Sequence, residues 1–300
     1  MDAYQAQQLT AAGLTLLRRS ASLVRVLSGR RSAILLPASP AFYVALAASE
    51  GRAAVLIDPR TSRSGIAYQL ATESVAAVFT SSVLATKLPA HLARVVMDDA
   101  PHTAHVAIDG IGRDIDLGSH VGLPVEGDHD VAGSDEPVAI VYGRAKGVHG
   151  LPSVLSHKTL LSTARAAARV FAITDTDRVL ALVPVADVFG LAVAAVAPLL
   201  EGGSVITSHH ADLSALAQTI VGGGVTHVVG VPAAYWALLS GTAPLHGHDL
   251  RGVLRVCVCG PSAPSDRLRL RWYDATGVAL SGGAVQADGS LSFVEDMAEG

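Results

Sequence analysis

Residues 31–80 read RSAILLPASPAFYVALAASEGRAAVLIDPRTSRSGIAYQLATESVAAVFT and alternate between two kinds of hydrophobic pattern. Short apolar runs typical of buried strands occupy residues 32–37, 53–58 and 75–80. Two segments with helical periodicity separate these runs, at residues 40–50 and 64–73. A β-α-β-α-β order predicts a parallel sheet with helices on its faces, connected by right-handed crossovers.

The same alternation resumes at Val138, after a connecting region at residues 100–136 that is rich in Asp, Gly and His. We expect one or two short strands in that region, where the apolar period is weak. The second series predicts further elements in turn: strands at 138–142, 204–207, 226–230 and 253–259, helices at 157–170, 212–221, 232–240 and 265–275, and a strand, turn and helix at 179–200. The predicted fold is therefore α/β with two parallel-sheet subdomains, residues 1–125 and 126–300, and a weakly structured tail after Gly282.

The composition argues against nucleic acid as a partner. Apolar residues make up 50% of the chain and charged residues only 16%, against about 25% in ordinary soluble domains. The formal net charge is −4, and no segment combines clustered Lys and Arg with stacking aromatics. We expect a large aliphatic core and no nucleic-acid interface.

Residues 179–200, VLALVPVADVFGLAVAAVAPLL, are long and apolar enough to suggest a membrane span. Asp187 at the centre, with Pro184 and Gly190 beside it, argues against one. The N-terminal residues 1–22 are typical of an amphipathic helix rather than a secretory signal. We therefore predict a buried strand, a turn and a packed helix at 179–200, and no membrane span.

The two cysteines, Cys257 and Cys259, lie two residues apart in a predicted strand. Their side chains should share one face of the strand and should not bond to each other. Buried free thiols of this kind predict a reducing, cytoplasmic environment.

Five segments of the chain, in the order in which they follow one another, resemble the large N-terminal domain of the adenylate-forming (ANL) superfamily. This superfamily includes acyl-CoA synthetases, aryl-CoA ligases and adenylation domains. They are residues 31–80, DEPVAIVYGRAKGVHGLPSVLSHKTLL at 135–161, DRVLALVPVADVFGLAVAAVAPLLEGGSVI at 177–206, GVTHVVGVPAAYWALL at 224–239 and LRGVLRVCVCGPSAPSDRL at 250–268. The resemblance covers roughly residues 12–285. It implies the two α/β subdomains of that large domain, without the small C-terminal lid domain that delivers the catalytic Lys.

The family's phosphate loop, Tyr-Thr-Ser-Gly-Thr-Thr-Gly-x-Pro-Lys-Gly before a Ser-His, aligns without a gap between Tyr142 and His157. Arg144 and Lys146 stand where the family has Ser and Thr, and the family's Lys is absent. Gly147, like Gly143 and Gly150, keeps the loop flexible, in a pattern different from the family's. Arg144 and Lys146 either hold an anion as point charges or belong to a solvent-exposed turn.

The family's second ATP motif, Tyr-Gly-x-Thr-Glu, aligns with residues 284–288, where only Asp288 keeps an acidic group. The ribose-binding Asp has no counterpart. The resemblance and these departures together predict that ATP and Mg²⁺ do not bind productively. CoA or phosphopantetheine is expected only as part of a substrate, and a metal site is not expected.

The resemblance also implies an acyl or aryl pocket lined by Val188, Phe189, Gly190, Val231, Pro232, Gly260, Pro261, Gly283 and Ala284. Asp187 lies in this apolar stretch, where family members often have a His or an aromatic residue. Burial would raise the pKa of Asp187 and make it a proton donor or base. The alternative is that Asp187 caps the following helix. His157, a weaker catalytic candidate, precedes a helix and matches a structural landmark of the family.

Other polar clusters carry weaker signals. Loops rather than metal sites are the typical location of such clusters, which here are His209-His210, His246-Gly-His248 and Asp128-His129-Asp130.

The first hypothesis for function is a family descendant that has lost adenylation. It binds, and possibly transforms, an acyl or aryl group on CoA or an acyl carrier protein in fatty-acid, polyketide or other secondary metabolism. The second is a non-catalytic partner of a full ligase or synthase, either self-associated or in a complex. The third is a residual acyl-CoA or acyl-carrier ligase.

Overall fold

The structure is a computed structural model that describes residues 27, 30–49, 53–98, 103–117, 135–143, 150–207, 213–240, 245, 248–286 and 289–294. The chain divides into two compact units, one of residues 4–158 and the other of residues 1–3 with 159–300. Each unit is built around its own sheet. The predicted N-terminal helix at 1–22 lies outside the described residues.

The first unit contains an eight-stranded sheet. Its strands are β1 (Arg31–Leu35), β2 (Ala54–Leu56), β3 (Val75–Thr80), β4 (Ala93–Val96), β5 (Thr103–Ile108), β6 (Ile111–Asp116), β7 (Pro137–Tyr142) and β8 (Pro152–Ser156). Its helical segments include α1 (Pro40–Ala48), α2 (Arg63–Thr72) and a 3₁₀-helix (Leu84–Lys87). The strand order is β6-β5-β4-β3-β1-β2-β7-β8, with parallel pairing from β4 to β7 and antiparallel strands at both edges.

Local signals in the sequence account for where these two helices begin. The Ser39 hydroxyl accepts a hydrogen bond from the Phe42 N–H at 3.3 Å, and Pro40 occupies the first turn of α1. The Ser62 hydroxyl caps α2 in the same way through the Gly65 N–H. Serine at the N-cap satisfies a helix N–H group that otherwise has no partner, which fixes the start of each helix.

The second unit contains a six-stranded sheet. Its strands are β9 (Arg178–Leu182), β10 (Ser204–Thr207), β11 (His227–Gly230), β12 (Val256–Cys259), β13 (Leu280–Val285) and β14 (Leu291–Val294). The helices are α3 (His157–Val170), which begins at the boundary of the units, a π-helix (Gly190–Val196), α4 (Ala197–Leu200), α5 (Leu213–Val221), α6 (Pro232–Leu239) and α7 (Asp266–Thr276). The order is β10-β9-β11-β12-β13-β14, and only the β13–β14 pair among these is antiparallel.

Two apolar clusters cover the two faces of the second sheet. Successive residues of β9 alternate between them, because side chains of a strand point to opposite faces. Leu180 belongs to the cluster with α5, α6 and α7, whereas Val179 and Ala181 belong to the cluster with α3, the π-helix and α4. The predicted α/β architecture with two sheets is therefore confirmed.

The structure differs from the sequence prediction in the division of the chain and in its tail. The division between units falls after residue 158 rather than 125, because β7 and β8 complete the first sheet. Within the tail after Gly282, residues 283–285 continue β13 and residues 291–294 form β14, so weak structure is the wrong expectation for these described residues. Residues 179–200 form a strand, a turn and helices as predicted, and no helix among the described residues is long and apolar enough to cross a membrane.

Both cysteines lie in the described part of the chain, and both thiols are free and buried. They belong to the apolar cluster that also contains residues of α6 and α7. Burial raises the pKa of Cys257 and of Cys259 to about 12. At pH 8 only about one thiol in ten thousand would then be ionised. We expect neither thiol to react with Ellman's reagent in the folded protein, and both to react in guanidinium. Stoichiometric labelling within minutes under native conditions would contradict this.

Candidate functional site

The chain adds strands to the second sheet in one direction up to β10 and in the opposite direction from β11 onward, so the direction changes between β9 and β11. From β9 the chain passes to β10 on one side and then to β11 on the other. In open α/β sheets, ligands bind at the carboxyl ends of the strands beside such a switch point. The chain leaves these strands at Val183 and Val231, so five of the predicted pocket residues lie at that position: Val188, Phe189, Gly190, Val231 and Pro232.

Asp187 follows β9 and is partly buried at the start of a helical turn. Its carboxylate Oδ1 accepts a hydrogen bond from the Phe189 N–H at 2.9 Å. Its backbone carbonyl accepts from the Leu191 N–H at 2.8 Å, as the carbonyl of a helix N-cap does. The capping role is thus observed, and a role as proton donor or base stays a prediction.

Phe189 is packed between Gly260, which directly follows β12, and Gly283 of the neighbouring strand β13. Its ring is 1% exposed, and a Cβ added at Gly260 would lie 2.4 Å from the Phe189 Cζ atom. A Cβ added at Gly283 would lie 2.9 Å from Phe189 Cε2. Only residues without a side chain leave room for the ring, so the structure brings three predicted pocket residues into direct contact, next to the end of β12 and within β13.

Gly190 opens the π-helix and also requires the absence of a side chain. A Cβ there would lie 2.0 Å from the carbonyl oxygen of Pro184, a backbone atom that cannot rotate away. The turn after β9 therefore packs directly on the first turn of the helix. Single π-helical turns inside helices occur frequently at functional sites, and sequence periodicity did not reveal this one.

The remaining predicted pocket residues lie at the same edge of the sheet. Val188, Val231 and Ala284 are partly buried, Pro232 begins α6, and Pro261 follows β12 through a cis peptide bond. Sequence reasoning missed Phe293 on β14, which pairs with Gly283 and packs edge-to-face on Phe171 at a centroid distance of 4.8 Å. The signal available was the apolar run at 291–294 in an otherwise polar tail.

Tyr142 ends β7 in the first unit, at the start of the segment that aligns with the family's phosphate loop. Its ring packs on the apolar cluster under α2, and its hydroxyl donates to Glu73 Oε1 at 2.7 Å. Gly143 and Gly150 then meet so closely that a Cβ at Gly150 would lie 1.6 Å from the Gly143 carbonyl oxygen. The Gly143 N–H donates to the Leu151 carbonyl at 3.4 Å. The segment is therefore the loop of the β7–β8 hairpin, closed at its base.

The loop residues themselves, Arg144, Lys146 and Gly147, lie outside the described residues, as do His209-His210, His246, Asp128-His129-Asp130 and Asp288. Where β13 ends and β14 begins, the Gln286 N–H donates to the Ser290 carbonyl at 2.8 Å. The Thr163 hydroxyl of α3 donates to the Gly289 carbonyl at 2.6 Å. Ala284 and Val285, the first two residues of the segment that aligns with the second ATP motif, are the last two residues of β13.

His157 is the first residue of α3 and is partly buried. Its backbone N–H donates to the Glu136 carbonyl at 3.0 Å. Burial lowers the pKa of His157, and the nearby Glu136 carboxylate only partly offsets this. The residue is held at a helix N-terminus in the first unit, and a chemical role for it stays a prediction.

A buried polar cluster lies at the opposite edge of the second sheet, where β9, β11 and β12 begin. Asp177 and His227 are each 1% exposed, and the Asp177 carboxylate accepts from the Arg255 guanidinium at 2.8 Å. Burial alone would raise the pKa of Asp177, but hydrogen bonds from Thr174 hold it below its usual value. Burial lowers the pKa of His227, although the Phe171 carbonyl and the Asp177 carboxylate each act to raise it.

Among the described residues, no group of three or more His, Cys, Asp or Glu side chains is placed so that it could hold a metal ion.

The sequence profile of the family described as AMP-binding enzyme matches residues 15–285 of this chain. The chain belongs to that family. The 4-coumarate–CoA ligase-like 3 protein of Oryza sativa subsp. japonica is 30% identical over 240 residues, which cover 70% of this chain and 38% of that protein. A long-chain-fatty-acid–CoA ligase of Thermus thermophilus is 31% identical over 141 residues, which cover 46% of this chain and 26% of that protein.

Two solved structures share this fold. ATP-bound MatB from Rhodopseudomonas palustris has a TM-score of 0.70 at 21% sequence identity, covering 94% of this chain and 54% of that one. A malonyl-CoA ligase with methylmalonyl-CoA and AMP bound has a TM-score of 0.65, also at 21% identity, covering 92% of this chain and 54% of that one. The chain spans less than half the length of the two curated relatives and about half of these structures.

The expectation of no nucleotide cofactor is wrong for this family, because the solved structures of MatB and of malonyl-CoA ligase contain ATP or AMP. The expectation gave too much weight to the side chains of the loop. Phosphate loops bind largely through backbone N–H groups, which replacement of a side chain leaves in place. In this chain the described part of the aligned segment is the base of the β7–β8 hairpin, where Gly143 and Gly150 lie in close contact.

Proposed function

We propose that this chain performs the carboxylate-activating part of acyl-CoA ligase chemistry, with an acyl or aryl carboxylic acid as substrate. The observation that supports this most directly is the convergence of Asp187, Phe189, Gly260 and Gly283 beside the β9–β11 switch point. The buried ring gives this edge of the sheet an apolar base, and the carboxylate gives it one polar group. Sites for small organic ligands commonly combine apolar walls with a few polar groups.

The β7–β8 hairpin supports the nucleotide part of the proposal. A cradle for phosphate needs backbone N–H groups that approach closely, and the contact between Gly143 and Gly150 leaves no room for a side chain at the loop base. ATP, when bound, supplies the adenylyl group that activates a carboxylate. The residues that would present the loop to it are Tyr142 and Gly143 on one side and Gly150 and Leu151 on the other.

Ligand-induced stabilisation tests the proposal. We expect ATP with Mg²⁺ to raise the unfolding temperature, by an amount equivalent to about 2.7 kcal/mol at a concentration one hundred times the dissociation constant. A panel of 4-coumarate, benzoate, anthranilate, malonate and a long-chain fatty acid should contain a compound that releases pyrophosphate from ATP. A chain that binds neither ATP–Mg²⁺ nor any acyl-adenylate analogue would overturn the proposal.

Replacement of Asp187 separates its capping role from a chemical one. Asp187→Ala removes the acceptor for the Phe189 N–H and should lower the free energy of unfolding by about 1 kcal/mol. Asp187→Asn keeps an acceptor oxygen and should leave stability within about 0.5 kcal/mol of the wild type. If the charge takes part in chemistry, Asp187→Asn should also lower turnover about tenfold or more. Unchanged turnover in Asp187→Asn would leave Asp187 as a cap only.

The proposal also includes the partners that would receive the acyl group. A ligase of this kind passes its acyl group to a thiol, so a CoA thioester or an acyl carrier protein is the expected product-side partner. A second protein, or a second copy of this chain, is proposed as a further partner. Analytical ultracentrifugation with and without a carrier protein would test both, and a strictly monomeric chain without affinity for either thiol would contradict them.

A further inference from the structure

Glu73 connects the end of α2 to the start of the β7–β8 hairpin. Its side chain is 8% exposed, and each of its carboxylate oxygens has a partner in the first unit. Oε1 accepts from the Tyr142 hydroxyl at 2.7 Å, and Oε2 accepts from the Arg31 guanidinium. Tyr142 lies 69 residues away in sequence and is the last residue before the loop of the hairpin.

Helix geometry makes a carboxylate costly at this position. Glu73 is the C-cap residue of α2, where the helix dipole presents partial negative charge and favours a cation. Burial also removes the water molecules that would otherwise donate hydrogen bonds to the carboxylate. The next residue, Ser74, has a left-handed backbone with φ of 50°, which turns the chain into β3. Charged hydrogen bonds to Tyr142 and Arg31 offset these costs.

The contact also fixes the direction of the Tyr142 side chain. Burial, with the hydrogen bond to Glu73 as a second cause, raises the pKa of the Tyr142 hydroxyl above its usual value. The hydroxyl therefore stays a donor at every physiological pH. With its ring packed on the apolar cluster under α2 and its hydroxyl bonded to Glu73, Tyr142 has little freedom to shift.

We propose that Glu73 is a positioning residue for nucleotide binding, which acts by holding Tyr142 and with it the first strand of the β7–β8 hairpin. Arg31 holds the second carboxylate oxygen, so that Glu73 keeps one rotamer. The inference rests on the proposed function, because it concerns the hairpin to which ATP is assigned there. It predicts that a hydrogen bond outside the loop controls the affinity for ATP.

The test measures the dissociation constant for ATP–Mg²⁺ by calorimetry in Tyr142→Phe, Glu73→Gln and the double variant. Tyr142→Phe keeps the ring and removes the donor, and we expect it to weaken ATP–Mg²⁺ binding about five- to tenfold, since hydrogen bonds to charged groups are worth a factor of this order or more. The double variant should bind no more weakly than the weaker of the two single variants, because both remove one interaction.

Ser49→Ala is the matched control for a loss of stability in the same unit. The Ser49 hydroxyl is buried, donates to the Ala45 carbonyl at 2.9 Å and bonds to the Ser32 hydroxyl at 2.8 Å. We expect Ser49→Ala to lower the unfolding temperature but to leave ATP–Mg²⁺ affinity unchanged. Equal affinity in the wild type and Tyr142→Phe, or an equal loss in Ser49→Ala, would overturn the inference alone. A wild type without affinity for ATP–Mg²⁺ would overturn the proposed function and this inference with it.

Discussion

Replacement of Asp177 by Ala should lower the free energy of unfolding by about 3 kcal/mol, the low end of the range for a buried ion pair that loses one partner, because the Arg255 side chain is 48% exposed. The carboxylate is 1% exposed and accepts from the Thr174 N–H and hydroxyl, each at 2.8 Å, as well as from Arg255. Thr174 and Arg255, which donate these hydrogen bonds, precede β9 and β12 at the edge of the second sheet opposite the candidate site. Urea unfolding at pH 7 measures the difference between Asp177→Ala and the wild type.

The effect of Asp177→Ala should depend on pH in one direction. Hydrogen bonds keep the pKa of Asp177 in the folded protein below its usual value of 3.8. Such a group contributes stability that is present above the unfolded-state pKa and is lost as pH falls through the folded-state pKa. We therefore expect the difference between variant and wild type to be full at pH 7 and to shrink below pH 3.8.

Asp249→Ala provides a matched control, because Asp249 makes the same type of contact with Arg251 at the surface. The Arg251 Nη2–Asp249 Oδ2 distance is 2.6 Å, but both side chains are more than half exposed. Exposed pairs of this kind contribute little, since water and salt screen them. A stability loss as large in Asp249→Ala as in Asp177→Ala would contradict the argument that burial makes the Asp177 cluster important.

Most elements of the fold follow from local pattern, and those that do not depend on distant pairing. The apolar runs of β1, β2 and β3 and the capped helices between them are visible in residues 31–80 because strand and helix periods differ. β8 and β14 are short, and each becomes a strand only by pairing with β7 or β13. The subdomain boundary was misplaced for the same reason, since β7 belongs to the first sheet through β2.

The candidate site was predictable only in part. Its segments were located by resemblance, and the structure adds the contacts among Phe189, Gly260 and Gly283. The hydrogen bond between Glu73 and Tyr142 joins residues 69 positions apart, and no local pattern indicates it. The expectation of no nucleotide cofactor is wrong for the family because it was inferred from the side chains of the loop alone. Backbone N–H groups supply many of the contacts that a phosphate loop makes.

Gly260→Ala should lower the free energy of unfolding by about 3 kcal/mol, the upper end of the usual range for overpacked cores. The new Cβ would lie 2.4 Å from Phe189 Cζ and 2.6 Å from the Gly283 carbonyl oxygen. Gly283→Ala should cost less, about 1–2 kcal/mol, because its nearest neighbours are all side chains, with Phe189 Cε2 at 2.9 Å. Thermal or urea unfolding of both variants measures the contrast.

A smaller side chain at Phe189 should rescue one glycine variant and not the other. Phe189→Leu removes the ring atoms nearest to both glycines, so the Gly283→Ala, Phe189→Leu pair should show a favourable coupling of about 1 kcal/mol in a double-mutant cycle. Gly260→Ala should stay strongly destabilising in the same background, because the Gly283 carbonyl oxygen is a backbone atom and remains 2.6 Å away. Equal rescue of both variants would mean that the Phe189 ring alone excludes side chains at positions 260 and 283. Rescue of neither would mean that Phe189 does not set the spacing of this edge of the sheet, and the candidate site would lose its central contact.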